Sequence, residues 1–123
     1  MDENCLFCKI IVGQIPATIL YQNEDVVAFQ DLHPQAKQHV LIIPRQHIIS
    51  MTELTKEHGP LLASIYLAAQ NIARQLDIAQ SGYRVVTNVG ANSGQTVFHL
   101  HFHLLGGEQL GLFGKPMIAA QPE

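Results

Sequence analysis

At 123 residues the chain can form one domain with a modest core and is too short for two ordinary ones. Hydrophobic residues make up 47% and charged residues 14%, a globular rather than a disordered balance. The net charge of -3, with only seven Lys plus Arg, argues against a nucleic-acid protein working through a basic surface; it leaves room for a small nucleotide. No stretch approaches the roughly 20 apolar residues of a membrane span. The opening "MDENC" is acidic, unlike the basic start of a secretory signal. A cytoplasmic protein is expected, and disulfides are not.

In chain order, "CLFCKIIV" (5–12) predicts a short helix ending near Gly13. Residues 17–22 and 26–31 predict two strands, and "NED" between them supplies hairpin turn chemistry. "HPQAK" (33–37) is a loop. "HVLIIP" (39–44), a nearly continuous apolar run closed by Pro44, predicts a buried strand. Ser50 and Glu53 fit a capping box for one local turn. The main helix is expected over 60–77, where Leu61, Ile65, Ala68, Ala69, Ile72 and Leu76 share one face and belong to the core. A strand at 83–88, a Gly-containing loop at 89–96 and a strand from His99 to Leu105 follow; the tail from Gly106 has little periodicity. No β-α-β alternation repeats, so the fold class is α+β with a mostly antiparallel sheet of five strands, one long helix and one short one.

Two clusters carry chemistry. In "HLHFHLLGG", His99, His101 and His103 alternate with Leu100 and Phe102, so a strand places all three imidazoles on one face. A lone histidine is ordinarily exposed or satisfied within the fold, and His33 and His58 are taken that way. Three in strict alternation make a poor core and a good site. Two chemistries fit: imidazoles as zinc ligands, or one imidazole as a nucleophile whose neighbours fix its tautomer and hold a charged substrate. The second cluster, "CLFC", admits a redox pair, a disulfide or half of a metal site. A thioredoxin-like motif wants a β-α-β context that is missing here. Two thiols three residues apart on one helical turn can reach a single ion, and zinc needs two further ligands.

"QTVFHLHFHLLGG" resembles the signature of the histidine triad (HIT) family. "DLHPQAKQHVLIIPRQHI" (31–48) and "GYRVVTNVGANSGQTVFH" (82–99) are similar to that family's upstream segments. The likeness spans about residues 5–107 of a single domain covering 1–123, with 108–123 as a tail. Gly106–Gly107 after the triad is like the Hint branch, the purine nucleoside phosphoramidate hydrolases. The resemblance implies a HIT-like fold joined in a two-fold dimer across the long helices and central strands. It implies hydrolysis of AMP-amine phosphoramidates at the α-phosphorus, with His101 as the nucleophile, His103 at the α-phosphate, and His39 and His99 supporting them. Hydrolysis of dinucleoside polyphosphates, or a non-catalytic nucleotide-binding role through a partner protein, are the alternatives.

The same resemblance places Asp31 at the ribose hydroxyls. It places Phe7, Phe29 and Leu32 in the lining of the nucleoside pocket, and Asn88, Gly94, Gln95, Thr96 and Val97 around the phosphate. The branch commonly has Ser where this chain has Thr96, which keeps the hydroxyl. It also implies a structural zinc held by Cys5, Cys8, His47 and His99, with no cofactor required for the chemistry. The expected partners are a purine nucleotide or nucleoside phosphoramidate and a second copy of the chain, with no nucleic acid and no membrane. The tail "EQLGLFGKPMIAAQPE" lacks the tryptophan that this branch often carries there.

Overall fold

The computed structural model describes residues 4–112 and Gly114. The expectations for the rest of the C-terminal tail lie outside the described residues. Helix α1 (Leu6–Ile11) starts at Cys5, whose Sγ accepts a hydrogen bond from the Cys8 N–H at 3.3 Å. It stops where Gly13 adopts a φ of 82°, a left-handed turn open to glycine. Strands β1 (Ile19–Gln22) and β2 (Val26–Gln30) form the expected hairpin. Asn23 makes its turn: Oδ1 accepts from the Asp25 and Val26 N–H groups at 2.8 and 2.9 Å.

β3 (Gln38–Pro44) follows, then helix α2 (Gly59–Gln75), β4 (Tyr83–Val86) and β5 (Phe102–Gly106). The sheet order is β1-β2-β3-β5-β4 and every neighbouring pair is antiparallel. This α+β architecture has the expected long and short helices and five strands. The last strand enters between β3 and β4, and that insertion brings the histidine row against His39. Ser50 caps its local turn, its Oγ accepting from the Thr52 N–H. Glu53 reaches the Ile49 N–H at 2.7 Å, one residue before the cap position.

The period of two along the strands sorts the side chains. Val26 and Ala28 of β2, Val40 and Ile42 of β3, and Leu104 of β5 pack under Ile65, Ala68, Ala69 and Ile72 of α2. Val27, Phe29, Leu41 and Ile43 take the opposite face, with Cys5, Phe7 and Cys8 of α1. The long-helix stripe is thus core, as its spacing predicts. Gly106 closes β5 where the chain is tightest: a Cβ there would lie 2.8 Å from Ile78 Cδ1.

Strand boundaries need correction: β1 begins at Ile19 rather than residue 17, β4 ends at Val86 rather than residue 88, and the histidine strand shifts most. The histidine strand was expected from His99, but the ladder begins at Phe102. The backbone of 99–101 finds other partners: Leu100 N–H bonds to Ile48 C=O, and Thr87 Oγ1 donates to His101 C=O at 2.7 Å. The alternation survives without the ladder. Leu100, Phe102 and Leu104 point into the core beneath α2.

Candidate active site

The histidines are held by an ordered set of hydrogen bonds that fixes where their protons sit. His101 Nδ1 lies 2.7 Å from the His99 carbonyl oxygen. A carbonyl only accepts, so Nδ1 carries the proton and Nε2 keeps its lone pair. Burial lowers the His101 pKa, opposed in part by that hydrogen bond, and the ring stays neutral near pH 7. Phe7 packs edge-on against it, centroids 5.1 Å apart at 86°. Only 7% of His101 is exposed.

A second chain of bonds runs through His39 and His103. They sit diagonally on adjacent strands, since His39 pairs with Leu105 and His103 with Leu41. The Gln35 N–H donates to His39 Nδ1 at 2.9 Å, so neutral His39 carries its proton on Nε2. That proton points at His103 Nδ1, 2.9 Å away, with Asp31 Oδ2 at 3.3 Å. His103 therefore accepts at Nδ1 and holds its own proton on Nε2. Burial and the neighbouring His101 and His39 push the His103 pKa down to about 4, despite the pull of Asp31. At neutral pH the site offers one imidazole lone pair and one imidazole N–H donor without a net positive charge on either ring.

Two clefts meet at His103. The first, about 310 Å³, is lined by Phe7, Phe29, Leu41, Thr96 and Val97, with Asp31 and His101 at its polar end. The second, about 580 Å³, is lined by Asn88, Arg84, His33, Val86 and Leu105, with Asp31 and His39. Phe7 and Phe29 are buried and stack edge-to-face at 5.6 Å. Leu32 borders the first cleft but is 80% exposed, a lip rather than a wall. Asp31 uses Oδ1 to accept from the His33 N–H at 2.8 Å and turns Oδ2 toward His39.

The 89–96 loop divides its labour. Thr96 and Val97 border the first cleft. Gly94 forms an exposed corner at φ 93°. Gln95 points away from the clefts: it accepts from the Gly90 N–H and donates to the carbonyls of Ile49 and Val97, at 2.9, 2.9 and 3.1 Å. It pins the loop, and its amide has no capacity left for a phosphate.

Cys5, Cys8, His47 and His99 form the other cluster, with their four ligand atoms within 4.8 Å of one another. His99 is fully buried and donates from Nε2–H to the Pro44 carbonyl at 2.8 Å. Its Nδ1 lone pair therefore faces the sulfurs of Cys5 and Cys8, at 3.3 and 3.6 Å, and His47 Nδ1 is 3.3 Å from Cys8 Sγ. A tetrahedral zinc with bonds of about 2.3 Å to sulfur and 2.0 Å to nitrogen spans sulfur–nitrogen edges of about 3.5 Å. The donor set and spacing fit zinc. Burial pushes the Cys5 thiol pKa up, and a bound cation would reverse that shift. Asp31, His39 and His103 also lie together. That group suits a proton relay and not a cation, because the His39 Nε2 facing the others already carries hydrogen.

Several parts of the site had no signal in side-chain identity: the Gln35 N–H and the carbonyls of His99 and Pro44 are backbone groups. Thr87 and His33 were available to sequence reasoning but carry no motif that distinguishes them from ordinary strand and loop residues.

Residues 4–117 match the family described as Scavenger mRNA decapping enzyme C-term binding. The purine nucleoside phosphoramidase of Escherichia coli is 44% identical over 119 residues, which cover 97% of each chain. The 14 kDa zinc-binding protein of Zea mays is 40% identical over 111 residues, 89% of this chain and 86% of that one. The solved structure of a HIT family hydrolase from Clostridium thermocellum has a TM-score of 0.85 at 47% identity, covering 96% of this chain and 99% of its own. With these similarities beside a triad whose protons are fixed as described, the chain belongs to the histidine triad (HIT) family.

Proposed function

We propose that the protein hydrolyses purine nucleoside phosphoramidates of the AMP-amine type through a nucleotidyl-His101 intermediate. The observation that carries this reading is the 2.7 Å bond from His101 Nδ1–H to the His99 carbonyl, which leaves Nε2 unprotonated and aimed by the backbone. In the first step Nε2 attacks the α-phosphorus while the P–N bond breaks and its electron pair leaves with the amine, which takes a proton from solvent. In the second, water attacks the phosphorus, loses a proton to solvent, and returns the electron pair to Nε2, releasing the nucleoside monophosphate. The His99 carbonyl steadies the positive charge that the ring carries as an adduct. The His103 Nε2–H donates to a phosphate oxygen, and because His103 lines both clefts the phosphate would sit where they meet. The first cleft takes the nucleoside, with Asp31 toward the ribose; Thr96, Val97 and Asn88 border the phosphate.

Zinc held by Cys5, Cys8, His47 and His99 would be structural, because four protein ligands leave no position for water or substrate. The phosphoramidase name of the Escherichia coli relative supports the hydrolase reading, and the zinc-binding name of the maize relative supports the zinc reading. The same reading includes a homodimer.

His101→Ala should abolish turnover of an AMP-amine while keeping nucleoside monophosphate affinity within about threefold, since the ring contributes chemistry rather than ground-state binding. Mass spectrometry of the unsubstituted protein after a rapid alkaline quench, which preserves the acid-labile phosphorus–imidazole bond, should find the nucleotidyl group on His101. Faster turnover of a diadenosine polyphosphate than of the AMP-amine would reassign the substrate, and normal turnover by His101→Ala would remove the mechanism.

A further inference from the structure

His99 belongs to both clusters at once. Its Nδ1 faces Cys5 and Cys8, its Nε2–H is tied to Pro44, and its main-chain carbonyl holds the proton of His101. The same residue supplies the metal-ligand nitrogen of one cluster and the acceptor that fixes the nucleophile of the other. A second connection runs through α1. Cys5 and Cys8 flank Phe7, whose ring stands 5.1 Å from His101 and 6.0 Å from His99, both edge-on. α1 has only six residues, too few to persist without tertiary anchors. Its buried residues are Phe7 and Cys8, with Cys5 buried at its N-cap. The buried anchors of α1 are therefore the cluster itself and the ring that touches the nucleophile, with Ile10 and Ile11 half-buried beside them.

Without an ion, the cluster's share of this anchoring reduces to thiol–imidazole contacts, and a thiol is a weak donor. Coordination would replace them with bonds to one centre. We propose that metal occupancy of the Cys5–Cys8–His47–His99 cluster controls the nucleophile: a bound ion clamps the His99 backbone and Phe7 on two sides of His101, and its loss frees the His101 ring from a single tautomer and position. His99 is thus a positioning residue for His101, and the metal cluster is a control point for the adjoining cleft as well as a staple. The proposal rests on the nucleophilic role assigned to His101.

The test reads the His101 ring directly, by nitrogen-15 NMR of histidine-labelled protein, with no substrate present. The zinc-loaded protein should show a protonated Nδ1 and an unprotonated Nε2 on His101. After chelation, or in His47→Gln, whose substituted side chain lies outside the triad, the two nitrogen shifts should move toward each other as tautomers exchange. Nucleoside monophosphate affinity should fall in parallel, because the unclamped Phe7 lines the first cleft, and kcat should fall by about 10- to 100-fold, the scale of a small misplacement of a reacting group. If chelation unfolds the chain, replacing zinc by the larger cadmium ion in intact protein should shift the His101 ring nitrogens while leaving amide signals of α2 in place. Unchanged His101 shifts and unchanged affinity, with only a lower Tm on chelation or no response to cadmium, would overturn the proposal. Failure of the hydrolase reading would appear separately, as absence of the His101 adduct in the zinc-loaded protein.

Discussion

The two faces of the sheet use the same strands for opposite purposes. On the α2 face, Val26, Ala28, Val40, Ile42 and Leu104 meet Ile65 and Ile72 in an apolar layer. On the α1 face, His39 and His103 sit in the same strands one residue out of phase, beside Leu41 and Ile43. One face concentrates burial and the other concentrates fixed protons. Stability and turnover should therefore separate by parity of position along β3 and β5. Ile72→Ala tests the first face: Ile72 is fully buried, and its truncation should cost about 2–5 kcal/mol. The expected result is a clear fall in Tm with kcat and KM unchanged at temperatures where the variant is folded. A matching fall in kcat would show that the faces are mechanically coupled.

His39 tests the other face. Removing its ring leaves His103 Nδ1 without a donor and the Gln35 N–H without an acceptor. His39→Ala should lower kcat about 10- to 100-fold, as loss of a group that orients a reacting one. It should also cost about 1 kcal/mol of stability for the half-buried His103 Nδ1 and the exposed Gln35 N–H left without partners, which water can partly replace. His39→Gln sharpens the distinction. Its amide N–H can replace the Nε2–H toward His103 but cannot also serve Gln35. Recovery of kcat without recovery of Tm is expected; equal kcat in the two variants would remove the relay.

The pH dependence follows from the same neutral rings. His103 faces His39 on β3, His101 on its own segment and Asp31 after β2, with Arg84 of β4 across the second cleft. Its folded pKa of about 4 lies below the ordinary value of 6.5. The unfolded chain therefore binds the proton first as pH falls. The stability associated with neutral His103 is complete above 6.5 and is lost as pH drops toward 4. The acid limb of kcat/KM should lie well below 6.5, reporting protonation of the free enzyme's relay. A midpoint at 6.5 would mean that His103 is solvated as in a peptide.

These tests bear on how much was legible beforehand. The continuous apolar run of "HVLIIP", the period of two in "HLHFH" and the helical stripe from Leu61 to Leu76 report burial directly, so element types could be read from side chains. The start of β5 could not, because Leu100 spends its N–H on the Ile48 carbonyl and Thr87 takes the His101 carbonyl, partners far away in sequence. The cluster of Cys5, Cys8, His47 and His99 was anticipated through family likeness, and the structure brings its ligand atoms together. The direction of each proton depended on carbonyls and N–H groups that every residue possesses. Gln95 shows the reverse limit: its place in a phosphate-like loop motif suggested ligand contact, while its side chain serves Gly90, Ile49 and Val97.

The smallest expected effect lies at the rim, where the two faces no longer compete. Leu32 is 80% exposed, so the folded chain gains little from it and Leu32→Ala should leave Tm unchanged. A nucleoside seated in the first cleft would cover part of that side chain. Covering part of a leucine is worth about 1 kcal/mol or less, or up to about fivefold in KM. The contact is distant in kind from the phosphorus: it is made equally in the bound substrate and in the transition state, so it should raise KM and spare kcat. Phe29, buried in the wall of the same cleft, should not show this separation, because its truncation also opens the core. A fall in kcat at constant KM for Leu32→Ala would place Leu32 on the reacting side of the substrate and reverse the assignment of the two clefts.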